Sequence, residues 1–226
     1  MSALLSLLHL CDSLFPIGGF AYSDGLESAV NARVVGGADD LRRWLDVCLD
    51  EAIGRCDGPG VLTAWTAFNE QDWESLIALD EELTAMRPAS TPRMASRSMG
   101  WRLMNTWHAL HPDARLNHLL ALARTRALGP TLPVAFAGVC AGAGIKQRDA
   151  VEGFAYTRLA ATVSSAMRLM AIGQHEAHSL LSRALDRVPA IVDAMIVRPA
   201  QPESFMPVVD IAQMTHPYVH SRLFRS

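Results

Sequence analysis

The stretch "ADDLRRWLDVCLDEAIG", residues 38–54, decides the fold class. Leu41, Trp44, Leu45, Cys48, Leu49, Ala52 and Ile53 recur at i, i+3, i+4 and i+7, which lines them along one face of an α-helix and leaves charged residues on the other. Asp39 or Asp40 is placed to cap its start and Gly54 to end it. The same period continues outward. "GPGVLTAWTAFNE" (58–70) restarts with Pro59 near a first helical position, and "DWESLIALDEELTAM" (72–86) opens on Asp72. "RPASTPRMASRS" (87–98), with Pro88 and Pro92, marks a break, and "MGWRLMNTWHAL" (99–110) a long helix that Pro112 stops. "PDARLNHLLALARTRALG" (112–129) begins on Pro-Asp and stops at Gly129. "DAVEGFAYTRLAATVSSAMRLMAIG" (149–173) opens with Asp149 and Glu152 in capping-box spacing and closes at Gly173. "EAHSLLSRALDRV" and "AIVDAMIV" add further helices, after which Pro199, Pro202 and Pro207 punctuate the chain. No alternating strand pattern and no internal repeat is present. The expectation is an all-α, single-domain bundle over 1–226, of roughly nine to eleven helices, with 199–226 a looser, partner-docking tail.

Composition fits that class. Of 226 residues, 50% are hydrophobic and 19% charged, enough for a sizeable core and too little charge for disorder. The net charge of −3 offers no basic field for nucleic acid or an anionic membrane. Cys11, Cys48, Cys56 and Cys140 include no C-x-x-C pair, which suits a reducing compartment without disulfides. "MSALLSLLHLC" looks faintly like a lipoprotein signal ending at Cys11, but it has no basic n-region: apart from His9, the first basic side chain is Arg33. An amphipathic first helix is expected instead. The uncharged segment Ala127–Ile145 carries Pro130, Pro133 and several glycines and is rich in alanine, so it is expected to be a tightly packed core helix and not a membrane span.

Catalytic motifs do not assemble. In "LPVAFAGVCAGAGIKQ" (132–147), Gly142 and Gly144 give G-x-G, but Gln147 stands where a dinucleotide fingerprint needs glycine, and no P-loop Lys-Ser or Lys-Thr follows. His175 and His178 are three apart and offer two ligands on one helix face, one fewer than a catalytic zinc site takes, and the spacing is not H-E-x-x-H. A solvated helix start accounts for them. "YSDG" is not a nucleophile elbow, and the carboxylates are scattered among caps and exposed faces. No catalytic residue, metal site or cofactor is expected.

Two stretches remain unusual. "DSLFPIGGFAYSDGLES" (12–28) crowds Pro16, Gly18 and Gly19 between helical segments, and "HSRLFRS" (220–226) sets Leu223 and Phe224 between Arg222 and Arg225. Apolar side chains there are costly to leave in water, so they dock either on a partner or on the chain itself.

Three segments together resemble the UreF family of urease accessory proteins. The first resembles the family pattern through Pro16, Gly18, Phe20, Tyr22, Ser23, Gly25, Leu26 and Glu27. The second, "AMRLMAIGQ", does so through Arg168, Leu169, Gly173 and Gln174, and the third through Ser221, Arg222, Leu223, Phe224, Arg225 and Ser226, with His216 just upstream. Departures fall at Asp24, at Ala171, at "HEAHS", and at Thr215–His220; "RPASTPRMASRS" lacks acidic residues expected there. The resemblance implies a cytoplasmic, non-enzymatic homodimer that bridges a UreD-type protein (UreH in some species) to the GTPase UreG and, through that complex, helps load nickel into apo-urease. It implies docking by His216 and Ser221–Ser226, with the other matched residues structural or at an interface. In that reading Pro16 and Gly18-Gly19 make a turn between the first two helices, and Tyr22 and Leu26, four apart, lock the second helix onto the first. Two rival readings are a GTPase-activating regulator of UreG and a helical metallohydrolase using His175 and His178.

Overall fold

The protein is described by a computed structural model over residues 1–225; Ser226, expected among the docking residues, lies outside the described residues. Helix makes up 73% of the structure and no strand occurs among the described residues, so the all-α bundle read from the periodicity is the observed fold. In chain order the helices are α1 (Ala3–Cys11), α2 (Leu26–Asn31), α3 (Ala38–Val47), a π-helical segment (Cys48–Asp57), α4 (Gly58–Glu70), α5 (Trp73–Ala85), α6 (Ser90–Leu110), α7 (Ala114–Arg124), α8 (Leu132–Gly142), α9 (Gln147–Leu169), α10 (Gln174–Leu185), α11 (Val188–Val197) and α12 (Pro207–Thr215).

The expected face of the 38–54 stretch is buried: Leu41, Trp44, Leu45, Leu49 and Ile53 all lie in the core. The expected end at Gly54 does not occur. The α3 backbone passes without interruption through the π segment into α4, and the Gly58 N–H donates to the Ile53 carbonyl five residues back. Pro59 has no N–H to give, and a wider ladder tolerates the missing donor where a tight one would not. Neither Asp39 nor Asp40 is the N-cap of α3. Gly37 is, and the Asp40 carboxylate accepts from the Gly36 N–H at 2.9 Å.

Asp72 and Asp113 do cap α5 and α7, accepting from Ser75 and Leu116 N–H at 3.1 and 2.9 Å. The break at 87–98 is shorter than expected. Pro92 sits in the first turn of α6, where its lack of an N–H costs nothing. α7 ends at Arg124, short of Gly129. α9 starts at Gln147, so Asp149 lies in its first turn and does not cap it, and α9 ends at Leu169, before Gly173.

α8 is the central rod: every residue from Leu132 to Ala141 is buried, and α4 and α6 pack against it. This is the uncharged segment expected to be a core helix, and no described helix is long and apolar enough to cross a membrane. α9 runs alongside and carries α1, α2, α10 and α11 on its other faces. Residues 199–206 have no regular structure, but the Glu203 N–H donates to the Arg55 carbonyl of the π segment at 2.8 Å. α12 then packs on α2, which brings the tail back to the second helix.

Candidate partner interface

Glu27 sits in the first turn of α2 and is 2% exposed. Its carboxylate is the point where α2 meets the tail. Oε1 accepts from the Leu223 N–H at 2.5 Å; Oε2 accepts from the Phe224 N–H at 3.2 Å and lies 2.7 Å from Nε2 of the fully buried His216. Between acceptor oxygens and a ring nitrogen the hydrogen belongs on Nε2, which leaves Nδ1 without a partner among the described residues. A buried carboxylate is costly unless several donors converge on it, and here two backbone groups and an imidazole do so. The Ser23 hydroxyl accepts from the Glu27 N–H at 3.3 Å, and Ser28 and Thr215 hydroxyls bond at 2.8 Å, which ties α2 to α12 beside the carboxylate.

The aromatic of the tail turns inward. Phe224 is 4% exposed, with the Arg168 guanidinium over its ring at 4.3 Å. Arg168 also donates to the Phe20 carbonyl at 3.1 Å, and the Arg225 N–H donates to the Ala21 carbonyl at 2.8 Å. Leu223, its neighbour, is 55% exposed. The pair expected to act together is therefore split: Phe224 fastens the tail to its own chain, and Leu223 faces outward. Ser221, Arg222 and Arg225 are exposed.

The turn before α2 holds three left-handed residues, Asp24 (φ +51°) and two glycines. Gly18 has φ +77°, and a Cβ there would meet Arg102 Nη1 at 2.5 Å; Gly25 has φ +88°, and a Cβ would press on Gln213 and Ala212 of α12 at 3.1–3.2 Å. Gly19 needs no such freedom, having only ordinary contacts at 3.8 Å, so of the two adjacent glycines only Gly18 is required by the turn. Pro16 is exposed, and Phe20 is 75% exposed. Tyr22 is extended, φ −123° and ψ 137°, and not helical, so it does not form an i, i+4 pair with Leu26. It packs on the core directly, while Leu26 is fully buried. Asp24 pairs with Arg158 of α9, a role its place in the motif does not announce.

Of the second motif, Arg168 joins the clasp and Leu169 is half-buried; Gly173 and Gln174 are exposed at the start of α10. His175 and His178 are exposed there too, and among the described residues no group of three His, Cys, Asp or Glu side chains is placed to hold a metal ion. A cavity partly open to solvent is lined by the π segment, by residues of α12 and by two ion pairs, Asp24–Arg158 and Arg87–Asp57. Burial pushes the Cys48 and Cys56 thiols on its wall up to about 12, which keeps them neutral and weakly nucleophilic, and raises Asp210 from the ordinary carboxylate range. Arg102 has no signal in the sequence: it sits mid-α6 and meets the Ile17 carbonyl at 3.3 Å only through the fold.

Three segments distant in sequence, the first more than a hundred residues from the other two, thus close on one point. A family model for UreF matches residues 35–185, which includes the Arg168 segment and leaves out both ends of the clasp. Relatives similar over the whole length cover those ends. The urease accessory protein UreF of Methylibium petroleiphilum is 31% identical over 228 residues, 100% of this chain and 94% of its own. That of Azoarcus sp. is 32% identical over 99% of this chain and 95% of its own. That of Cupriavidus metallidurans is 30% identical over 99% and 97%. With an all-helical fold, the matched model and full-length relatives on both sides of it, this chain belongs to the UreF family.

Proposed function

We propose that this chain is a non-enzymatic adaptor of urease maturation: a cytoplasmic homodimer that joins a UreD-type (UreH-type) protein to the GTPase UreG, so that nickel passes to apo-urease within their complex. The observation that carries this reading is the clasp. Matched residues from each of the three segments, Phe20 and Glu27, Arg168, and His216 and Phe224, meet in it around no reactive group, and several are spent on holding the tail in place. Leu223 is left outward beside Phe20, and Tyr218 is 86% exposed. Two further apolar stripes face solvent, Met1, Leu4, Leu5 and Leu8 on and before α1, and Val208, Ile211 and Met214 on α12. Apolar surface gathered this way fits protein contact better than a solitary life in water.

The fold also divides labour within the docking segment. Phe224 and His216 anchor it, and Leu223 presents to the partner. Burying one leucine contributes about 1.5–3 kcal/mol, enough to decide a marginal complex. The test is co-expression with the UreD-type and UreG proteins of the same source, followed by size-exclusion chromatography. The parent should co-elute with them, and Leu223→Asp should melt like the parent yet lose the UreD-type partner. A parent that elutes alone rejects the adaptor reading; a Leu223→Asp chain that co-elutes in full removes the tail from the contact.

A further inference from the structure

A groove runs along the outer side of the clasp. Its walls include Phe20, Tyr22 and Leu223, and its rim carries three guanidinium groups from distant parts of the chain, Arg102 of α6, Arg168 of α9 and Arg225 of the tail. Among the described residues no carboxylate lines it. Glu27 lies behind, already occupied by its three donors.

Among the described residues none of these three arginines is ion-paired, and what sets them apart from other unpaired arginines is that they line one groove. Arg102 and Arg168 each give one N–H to a backbone carbonyl, at 3.3 and 3.1 Å, and Arg225 is held at its backbone. A guanidinium has five N–H donors in a planar fork that suits a carboxylate. Most of that capacity is unspent here, on two guanidinium groups already held by carbonyls, Arg102 and Arg168, and a third, Arg225, whose backbone is held. Among the described residues no carboxylate offsets the three like charges that line this one groove, which favours an incoming counter-charge.

We propose that this groove receives an extended acidic segment of a protein partner, with one apolar side chain between Phe20 and Leu223 and carboxylates on Arg102, Arg168 and Arg225. For its biological partner this rests on the adaptor reading; the chemistry rests on the groove. The half-apolar walls favour a peptide over a phosphate group, which would leave Phe20 and Leu223 in water. Because the Arg102 and Arg168 guanidinium groups are already held by carbonyls, only the Arg225 side chain has to be ordered on binding.

The probe is a fluorescein-labelled acidic peptide with a single central leucine, titrated into the full chain and followed by anisotropy. Binding should be saturable, weaken with added salt, and fall about tenfold or more in Arg102→Glu/Arg225→Glu and again when the peptide leucine becomes serine. If the charge-reversed chain melts early, Arg102→Gln/Arg225→Gln carries the same comparison. No saturable binding to the parent, or equal binding to the substituted chain, overturns the proposal. Tripolyphosphate displacing the peptide while the serine peptide binds as tightly as the leucine one also overturns it, in favour of a small-anion site. The two readings fail separately. Peptide binding without co-elution of UreD-type and UreG proteins rejects only the named partners. Co-elution that is indifferent to both charge reversals rejects only the groove.

Discussion

At the scale of single residues, the chain's unusual features centre on Glu27. A carboxylate with two oxygens and three donors is fully matched only while it is a carboxylate. Glu27→Gln keeps the shape but turns one oxygen into an NH2, which must face at least one N–H donor whichever way the amide is set. Hydrogen bonds to charged groups contribute about 1.5–3 kcal/mol, so the expected loss is about 2 kcal/mol, a fall of roughly 4–8 °C in Tm for a chain of this size. Hydrogen exchange at the Leu223 and Phe224 amides should quicken in step. An unchanged Tm with unchanged exchange at those two amides would show that the carboxylate does not hold the tail. The sequence marks Glu27 as part of a motif and Phe224 as an apolar oddity, but it does not say that they meet. Nothing local in "RLFRS" tells which of two adjacent apolar side chains turns inward; the Arg168 guanidinium and the bonds from Leu223 and Phe224 to Glu27 decide that, from far away in the chain.

Among elements, the π segment is the one whose behaviour could not be read in advance. Gly54 and Pro59 are ordinary stop and start signals, and both sit inside a continuous helical run. Their meaning is tertiary. A Cβ on Gly58 would lie 2.4 Å from the Ile53 carbonyl oxygen and 2.8 Å from Met195 Sδ of α11, so the glycine lets α11 close on the widened turns. Gly58→Ala therefore sets two terms against each other. Alanine gains about 1 kcal/mol in helix propensity, while overpacking against a backbone oxygen and a packed helix costs about 1–3 kcal/mol. Overpacking wins, because a carbonyl cannot rotate away as a side-chain tip can. We expect a net loss of up to about 2 kcal/mol in urea unfolding; equal or greater stability would mean that the segment relaxes to ordinary α geometry without strain. The other helices were legible wherever one face is apolar and the other charged. α8 was legible for the opposite reason, since a segment without charge and rich in alanine has no solvent face to offer. The starts of α6 and α9 were not, because proline and acidic residues serve in a first turn as readily as in front of it.

For the molecule as a whole, the four cysteines make stability depend on alkaline pH. Burial pushes Cys11, Cys48 and Cys56 from an ordinary value of 9.0 up to about 12, and raises Cys140 as well. The unfolded chain then loses thiol protons at a pH where the folded chain keeps them. Stability is fully present below about 9 and falls as pH rises toward 12, by up to about 1.4 kcal/mol per pH unit for each thiol so affected. The urea midpoint should drop between pH 8.5 and 10.5, and drop less in Cys48→Ala/Cys140→Ala; a midpoint that is flat over that interval, or an equal drop in both proteins, contradicts this account. The clasp has a different kind of consequence, in time. Glu27 is made early, and Leu223 follows it by 196 positions. At the ~5–20 residues per second of ribosomal synthesis the carboxylate waits roughly 10–40 s for its donors. It can play no part in the first collapse of the nascent chain, and a chain that stops short of the tail keeps an anion in a place meant to be closed. Shutting the clasp thus comes late in manufacture, and a product interrupted before the tail carries a standing mark of that loss into the pool that cellular proteases survey.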